Sequence, residues 1–464
     1  MRILLILALF MVWWSAAVLL SRKFRLKREG PILLLPLARG KLDRAFRRPL
    51  LARALSATRH LVLPVGVVGF ALLAYEAYLS LSRGFSVGVR EVLALPGINP
   101  YIPVFLGIFS LALAISVHEL SHGIVMEREG LGVTEVGLIL VLLPLGAYVE
   151  PREKVEETHP LVAEKVFSAG PGSNLALAAL AVSALLIMSA GIAPTANGLL
   201  ITAVAKGSEL DVQGVKPGVV VLSVDGRNPA EAIWGGLDPR VPHRVLVEDP
   251  GGVRRVVLVH GGIVVTDVVG GSPAQGAGLE PGDAILAVDG RPTPLPEDLR
   301  DALAPPGPHT IWLYRPSTGE HVNVTVTPAG GKIGVYAMVF GLSGMETVDL
   351  ASYYSPRHFL HFLALPFMGM EPAPSWARDW LTPPYGGWLA FNALYWVFWM
   401  NLALGLTNSL PLYPLDGGNI LYNRLKRALG GGRRAEVISK RVVGLVSVAS
   451  FVLLMIPIVM GFIR

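Results

Sequence analysis

Long uncharged apolar runs alternate along this chain with short, densely charged ones, and one region between them changes to brief strand-like segments. Ile3 to Leu20 is an uncharged run, long enough to cross a bilayer as a helix. Only Arg2 precedes it as a charge, which weighs against a cleaved signal peptide. Apolar runs of similar length cover Leu61 to Leu81, with Glu76 inside it, Tyr101 to Val125, with Glu119 inside it, Ser173 to Ile192, Leu389 to Leu410 and Val442 to Ile463. The pattern predicts a polytopic α-helical membrane protein of about six spans. Val136 to Val149 is apolar but too short for an ordinary helical span, and Pro144 and Gly146 interrupt it. Two readings stay open for it: a re-entrant hairpin, or an interfacial strand or buried loop. Phe359 to Met370, with His361 and Pro366, reads as an interfacial helix.

Charge orients these spans. Ser21 to His60 holds 12 Lys or Arg against Glu29 and Asp43, and Arg424 to Arg441 holds seven against Glu436. Loops of this kind stay cytosolic, which predicts both termini outside a cell membrane crossed several times. Only 16% of the chain is charged, against about 25% for a soluble domain. The net charge of +6 is concentrated beside apolar runs, so it points to lipid contact and topology and not to nucleic acid. There is no cysteine. Disulfides and thiolate ligands are therefore excluded, and any metal must be held by His, carboxylate or water.

Between Asn197 and Pro328 the chain breaks into short Val-, Ile- and Leu-rich segments separated by Gly and Pro, and it repeats itself at one fixed interval. Gly198-Leu199-Leu200 matches Gly262-Ile263-Val264, Ser208 matches Ser272, and Pro217-Gly218 matches Pro281-Gly282. Val224-Asp225-Gly226-Arg227 matches Val288-Asp289-Gly290-Arg291. A repeat in fixed register predicts two copies of one mainly-β fold. Because charge places this insert between two outward-facing span ends, it is expected outside the membrane.

The chemistry sits in the third run. His118-Glu119-Leu120-Ser121-His122 follows an uncharged stretch, and ionisable groups at membrane depth mark function by default. Two His at i and i+4 share a helix face and can share a metal, with Glu119 beside the first to act on water there. A third protein ligand is still needed. Asp416, in Asn408-Ser409-Leu410-Pro411-Leu412-Tyr413-Pro414-Leu415-Asp416-Gly417-Gly418, lies at the same end of the fifth run. Pro411 and Pro414 break the helix there, and the two glycines free the backbone to turn the carboxylate inward. The alternative is that Asp416 only caps the helix that follows.

The second insert copy, Ser272 to Gly290 followed by Pro296 to Leu303, resembles a bacterial-type PDZ domain. The first is a degenerate version, with Val219 where the second has Asp283. The HELSHG run, the N-x-x-P-x-x-P-L-D-G run and PDZ-like copies between them together resemble the site-2 protease family of intramembrane metalloproteases, in its archaeal form. That resemblance implies one catalytic Zn2+ on His118, His122 and Asp416, and water activation by Glu119. Ala169-Gly170-Pro171-Gly172-Ser173-Asn174 matches the family's AGP-x-x-N pattern and implies that Asn174 stabilises the oxyanion. The implied substrates are membrane-spanning proteins, cut near the cytosolic side of the bilayer in regulated intramembrane proteolysis, with a peptide as ligand of the second PDZ-like copy. The rival is a non-enzymatic PDZ scaffold with a vestigial metal site, which would be expected to have lost one of the four site groups.

The expected organisation is 1–100 for the N-terminal spans and basic loop and 101–196 for the first half of the catalytic core. The degenerate copy follows at 197–260 and the second copy at 261–329. A linker at 330–388 precedes the second half of the core and the last span at 389–464.

Overall fold

The computed structural model describes residues 2–24, 26–40, 42–83, 96–99, 101–141, 143–234, 237–338, 344–351, 354 and 378–463. The expected interfacial helix at 359–370 lies outside them. The chain forms two compact units, one mainly Met1–Ile187 with Leu389–Arg464 and the other mainly Met188–Leu365.

In the first unit the apolar runs become helices, because only a helix satisfies every backbone group without water. They are α1 (Arg2–Phe24), α2 (Arg59–Arg83), α3 (Val104–Arg128), α4 (Pro160–Ala190) and α5 (Gly387–Ser409), with α6 (Asp416–Ala428) and α7 (Gly432–Ile463) after them. Among the described residues, five helices are long and apolar enough to cross a membrane: Pro49–Ser82, Val104–Arg128, Pro160–Ala190, Gly387–Ser409 and Gly432–Gly461. The run Ile3–Leu20 lies in α1. Gly66 and Gly69 on α2 face the chain just past α5, where a Cβ on Gly69 would come within 2.9 Å of the Leu410 side chain.

One helix departs from expectation. The fourth apolar run begins at Ser173, yet α4 starts at Pro160 and carries Pro171 inside it. Proline removes one ladder bond and is costly in an exposed helix. Here residues 168–174 are all buried, and beside the proline the Thr58 hydroxyl donates to the Ser168 carbonyl at 2.9 Å. The AGPGSN stretch therefore lies within a helix and not ahead of one.

The short apolar stretch is a β-hairpin, β3 (Val133–Val141) and β4 (Leu143–Pro151). It is extended by two strands from the basic loop, β1 (Lys27–Glu29) and β2 (Ile32–Arg39), in the antiparallel order β1-β2-β3-β4. The sequence pattern showed no strands in that loop. β2 contains Pro36, and the register with β3 shifts there between Pro36 and Ala38, as expected for a proline inside a ladder. Glu135 on β3 is buried among the Arg39 guanidinium at 2.8 Å and the Tyr148 hydroxyl at 2.5 Å. β4 packs on α3: the Ala147 amide donates to Ser116 Oγ at 3.1 Å, and a Cβ on Gly146 would meet the Ile115 side chain at 2.5 Å.

The second unit holds the two repeat copies as separate antiparallel sheets. The first contains β5 (Leu199–Val204), β6 (Val220–Val224), β7 (Pro242–Glu248) and β8 (Arg254–His260). The second contains β9 (Ile263–Val268), β10 (Ala284–Val288), β11 (Arg291–Pro292), β12 (His309–Arg315) and β13 (Glu320–Val326). Each has its own apolar core. Repeated residues do repeated work: Ser208 and Ser272 accept from the backbone amides of Asp211 and Gln275 as N-caps. Asp225 and Asp289 adopt φ of 51° and 49° in matching turns and bond His243 and His309 at 2.7 Å each. The copies differ where Asp283 binds the Arg315 guanidinium at 2.9 and 2.8 Å. Val219 at the matching place is an apolar core residue.

Each sheet takes one further strand from beyond the repeat. β14 (Val335–Met338) pairs with β9, and β15 (Met345–Asp349) returns past the whole second copy to pair with β5. The second copy is thus inserted within the first. Matching residues at one fixed interval could not reveal this, because β14 and β15 both follow the second copy and fall outside the repeated register.

Candidate metal centre

Helix α3 presents His118 and His122 one turn apart, with ring centroids separated by 4.8 Å. Their Nε2 atoms lie 3.0 and 3.4 Å from one oxygen of Asp416, Oδ2. Together these are the described residues that could share a metal, with all ligand atoms within 4.8 Å of one another. The far side of each ring decides what those atoms can do. His122 Nδ1 lies 2.7 Å from the Val166 carbonyl. A carbonyl only accepts, so this nitrogen carries the proton. His118 Nδ1 lies 3.0 Å from Asn174 Oδ1. The Asn174 amide is oriented by its neighbours, since its Nδ2 donates to the Ala114 carbonyl at 3.1 Å and to Asn401 Oδ1 at 3.0 Å. In the neutral form with Nδ1 protonated, each Nε2 offers a lone pair.

Asp416 Oδ2 is buried, and the two Nε2 atoms are its polar neighbours at 3.0 and 3.4 Å. Three potential ligand atoms therefore converge, and with no proton between them they repel. That arrangement is repulsive by itself and becomes favourable around a cation. Two imidazole nitrogens and a carboxylate oxygen form a donor set suited to zinc. Helix α4 contributes one more element, Gly170. A Cβ there would lie 2.5 Å from His122 Nε2 and 2.6 Å from His118 Nε2, so only glycine leaves the space between the rings open.

Asp416 arrives through a tight turn after α5. A Cβ on Gly417 would collide with the Ser409 and Leu410 carbonyls, and one on Gly418 would lie 2.6 Å from the Tyr413 amide. Asp416 is the first residue of α6, Leu415 occupies the cap position, and no side chain caps that helix. The carboxylate faces the histidines and does not serve as a cap. Glu119 follows His118 on α3 and is half-buried. Asn174 is fully buried, with its oxygen on His118 and its two amide hydrogens directed to Ala114 and Asn401. This geometry makes it a holder of the imidazole.

Sequence reasoning missed three contributors. Gly170 stood in a quoted motif, but its proximity to both rings requires α4 to cross α3. Asn401, like Asn392 and Asn408, is a polar residue of the fifth run that suggests a bundle contact, but the sequence does not name Asn174 as its partner. The Val166 carbonyl, being backbone, has no sequence signal.

Residues 106–457 match Peptidase family M50. An uncharacterized protein of Methanocaldococcus jannaschii is 44% identical over 77 residues, 16% of this chain and 20% of that protein. The zinc metalloprotease RasP of Geobacillus kaustophilus is 28% identical over 214 residues, 42% of this chain and 48% of its own. The metalloprotease MmpA of Caulobacter vibrioides is 25% identical over 210 residues, 37% and 53% of the two chains. The chain spans about half or less of the length of each of these curated relatives.

Proposed function

This chain belongs to peptidase family M50, the site-2 proteases, and we propose that it is an intramembrane zinc endopeptidase that cuts transmembrane segments of membrane-tethered proteins. The observation that carries this reading is the convergence of His118 Nε2, His122 Nε2 and Asp416 Oδ2 within 4.8 Å of one another, in a unit of apolar helices. His118, His122 and Asp416 would hold the zinc. Bound there, zinc supplies Lewis acidity and lowers the pKa of water towards neutrality.

The chain's own groups do the rest. Glu119 takes the proton from the attacking water and passes it to the leaving amine. Asn174 and the Val166 carbonyl hold the two imidazoles in the tautomer that leaves Nε2 free. On this reading Asn174 acts through His118, where the family resemblance implies a role at the oxyanion. A membrane helix keeps its carbonyls bonded internally, so the substrate must unwind before it can be cut. Among the described residues β4 is the outermost strand of its sheet, and it packs on the helix that carries Glu119. That edge would offer main-chain partners to an unwound substrate segment.

The basic segments 21–60 and 424–441 support an orientation with the catalytic end of α3 towards the cytosol and the β insert outside. The insert copies act as PDZ domains that screen substrates. Cleavage of this kind releases a membrane-tethered regulator or clears a membrane stub.

The test is metal analysis of purified protein together with cleavage of a transmembrane peptide. Wild type should carry one zinc and cut. Glu119→Gln should keep the zinc and lose cutting, and His122→Ala should lose both. Full zinc occupancy after removal of both histidines would sink the assignment.

A further inference from the structure

On α4, ahead of Asn174, lies Glu164, a carboxylate with no solvent exposure. Its two oxygens are both engaged by α6. Arg424 reaches Oε1 through Nε at 2.8 Å and also through Nη2, while Arg427 Nη2 reaches Oε2 at 3.0 Å. Arg424 Nη2 also donates to the Arg59 carbonyl at the start of α2, at 2.9 Å. Three helices are thus tied at one buried point. An unpaired carboxylate there would be strongly disfavoured.

The two helices that Glu164 joins are those that complete the centre. α4 places the Val166 carbonyl on His122, Gly170 between the rings and Asn174 on His118. α6 begins with Asp416, and Arg424 and Arg427 stand two and three turns further along it, about 12 and 16 Å away. The turn before Asp416 is rich in proline, two glycines follow it, and no side chain caps the start of α6. Among the described residues, Arg424 and Arg427 are the groups of α6 that form ion pairs with α4. Two guanidiniums on successive turns of α6, one on each oxygen of the carboxylate, fix direction as well as distance. A slide of about 1 Å in such a constellation is enough to reduce turnover by two orders of magnitude.

We propose that Glu164 is a positioning residue for the metal centre: through Arg424 and Arg427 it sets the rotation and depth of α6, and so the place of Asp416 Oδ2 opposite the two histidines. This rests on the metalloprotease reading above. Glu164 touches neither substrate nor ligand atom, and its effect passes through Asp416.

The experiment compares full-length wild type, Glu164→Gln, Arg424→Gln, the double variant and the milder Arg427→Gln. Zinc affinity is read by competition with a chromogenic chelator. Co2+-loaded protein is read by its visible absorption, and turnover of a transmembrane peptide gives kcat and KM. Glu164→Gln should weaken metal binding at least tenfold, alter the Co2+ spectrum, and lower kcat while KM stays within twofold. Arg424→Gln should act alike, and the double variant should be no worse than either single one, because no buried charge is then left alone. If Glu164→Gln does not fold, Arg427→Gln keeps the question open to test, with a smaller shift of the same Co2+ bands expected.

A Glu164→Gln protein with wild-type zinc affinity, Co2+ spectrum and kcat, merely melting earlier, would overturn the proposal and leave a structural clamp. A folded Arg427→Gln protein with unaltered Co2+ bands would do the same. Wild-type protein that binds no zinc would instead defeat the metalloprotease reading itself, so the two failures are distinguishable.

Discussion

Gly170→Ala separates helix propensity from metal geometry, because the two demand opposite results. In a helix interior, replacing glycine by alanine stabilises the fold by about 0.5–1 kcal/mol. Position 170 lies inside α4 and has ordinary helical backbone, so propensity alone predicts a slightly higher melting temperature. The centre predicts something else. The added methyl would lie 2.5 Å from His122 Nε2 and 2.6 Å from His118 Nε2. Carbon in ordinary contact needs about 3.5 Å, so it intrudes by about 1 Å on both ligand atoms at once. Zn–N bonds of about 2.0–2.1 Å cannot form in a space that a methyl already fills. Displacement of either imidazole forfeits its bond to Asn174 or to Val166. Loss of one such supporting contact costs about 10–100-fold in metal affinity. Two together imply at least about 100-fold, or about 2.8 kcal/mol at about 1.4 kcal/mol per decade. The assay is zinc affinity by chelator competition, paired with thermal unfolding of metal-free protein. Weakened zinc binding in a protein that melts no lower when metal-free is the expected result. Wild-type zinc affinity in Gly170→Ala would refute the reasoning, since the space between the rings would then not be the metal's seat.

Four further outcomes follow from the same structure. Asn174→Ala should weaken zinc binding about 10–100-fold; a loss of kcat with unchanged zinc affinity would restore the oxyanion role. In the second β unit, the Asp289 bond and the Pro305 carbonyl hold the His309 pKa above its ordinary 6.5, while His309 and the Thr310 amide hold Asp289 below 3.8. The histidine's contribution is therefore complete below about pH 6.5 and is lost as pH rises through its raised value, while the aspartate's is lost as pH falls below about 4. Hydrogen exchange of β12 in the full chain should show weakening protection from about pH 6.5 upward, and His309→Gln should flatten it; an unchanged profile in that variant would count against the pair. Single cysteines placed in this cysteine-free chain at 21–60 and 424–441 should label from the cytosolic side and those at 197–328 from outside, and a reversed pattern would overturn the orientation. Finally, the Leu350 amide donates to the Gly198 carbonyl at 3.3 Å, so residues 199–349 can be removed and the ends joined by a short linker. The shortened protein should still bind zinc and cut a short transmembrane peptide, with relaxed rejection of substrates that carry bulky outer domains; a zinc-bound but inactive product would assign the insert a catalytic role.

The apolar helices, the repeated insert, and the candidate metal group His118, His122 and Asp416 were legible along the chain. These signals are local: uninterrupted apolar length, a fixed repeat interval, and side chains able to ligate metal at helical spacing. The pattern also marked 136–149 as unusual without deciding its form. A strand's partners are set by contacts distant in sequence, and β2, which pairs with β3 through Leu33–Leu140 and neighbouring positions, lies in a loop whose charge masked it. The same limit applied to the first β copy, whose fifth strand returns after an entire second copy. In the site, the candidate ligands could be named from the sequence, whereas the bonds that orient them and their placement came from packing. The Val166 carbonyl, the Asn174 amide and the open space at Gly170 all come from α4 crossing α3, and Glu164 ties that helix to the one that begins with Asp416. Hydrogen-bond direction and close approach are properties of atoms brought together by folding, and no spacing along the chain encodes them.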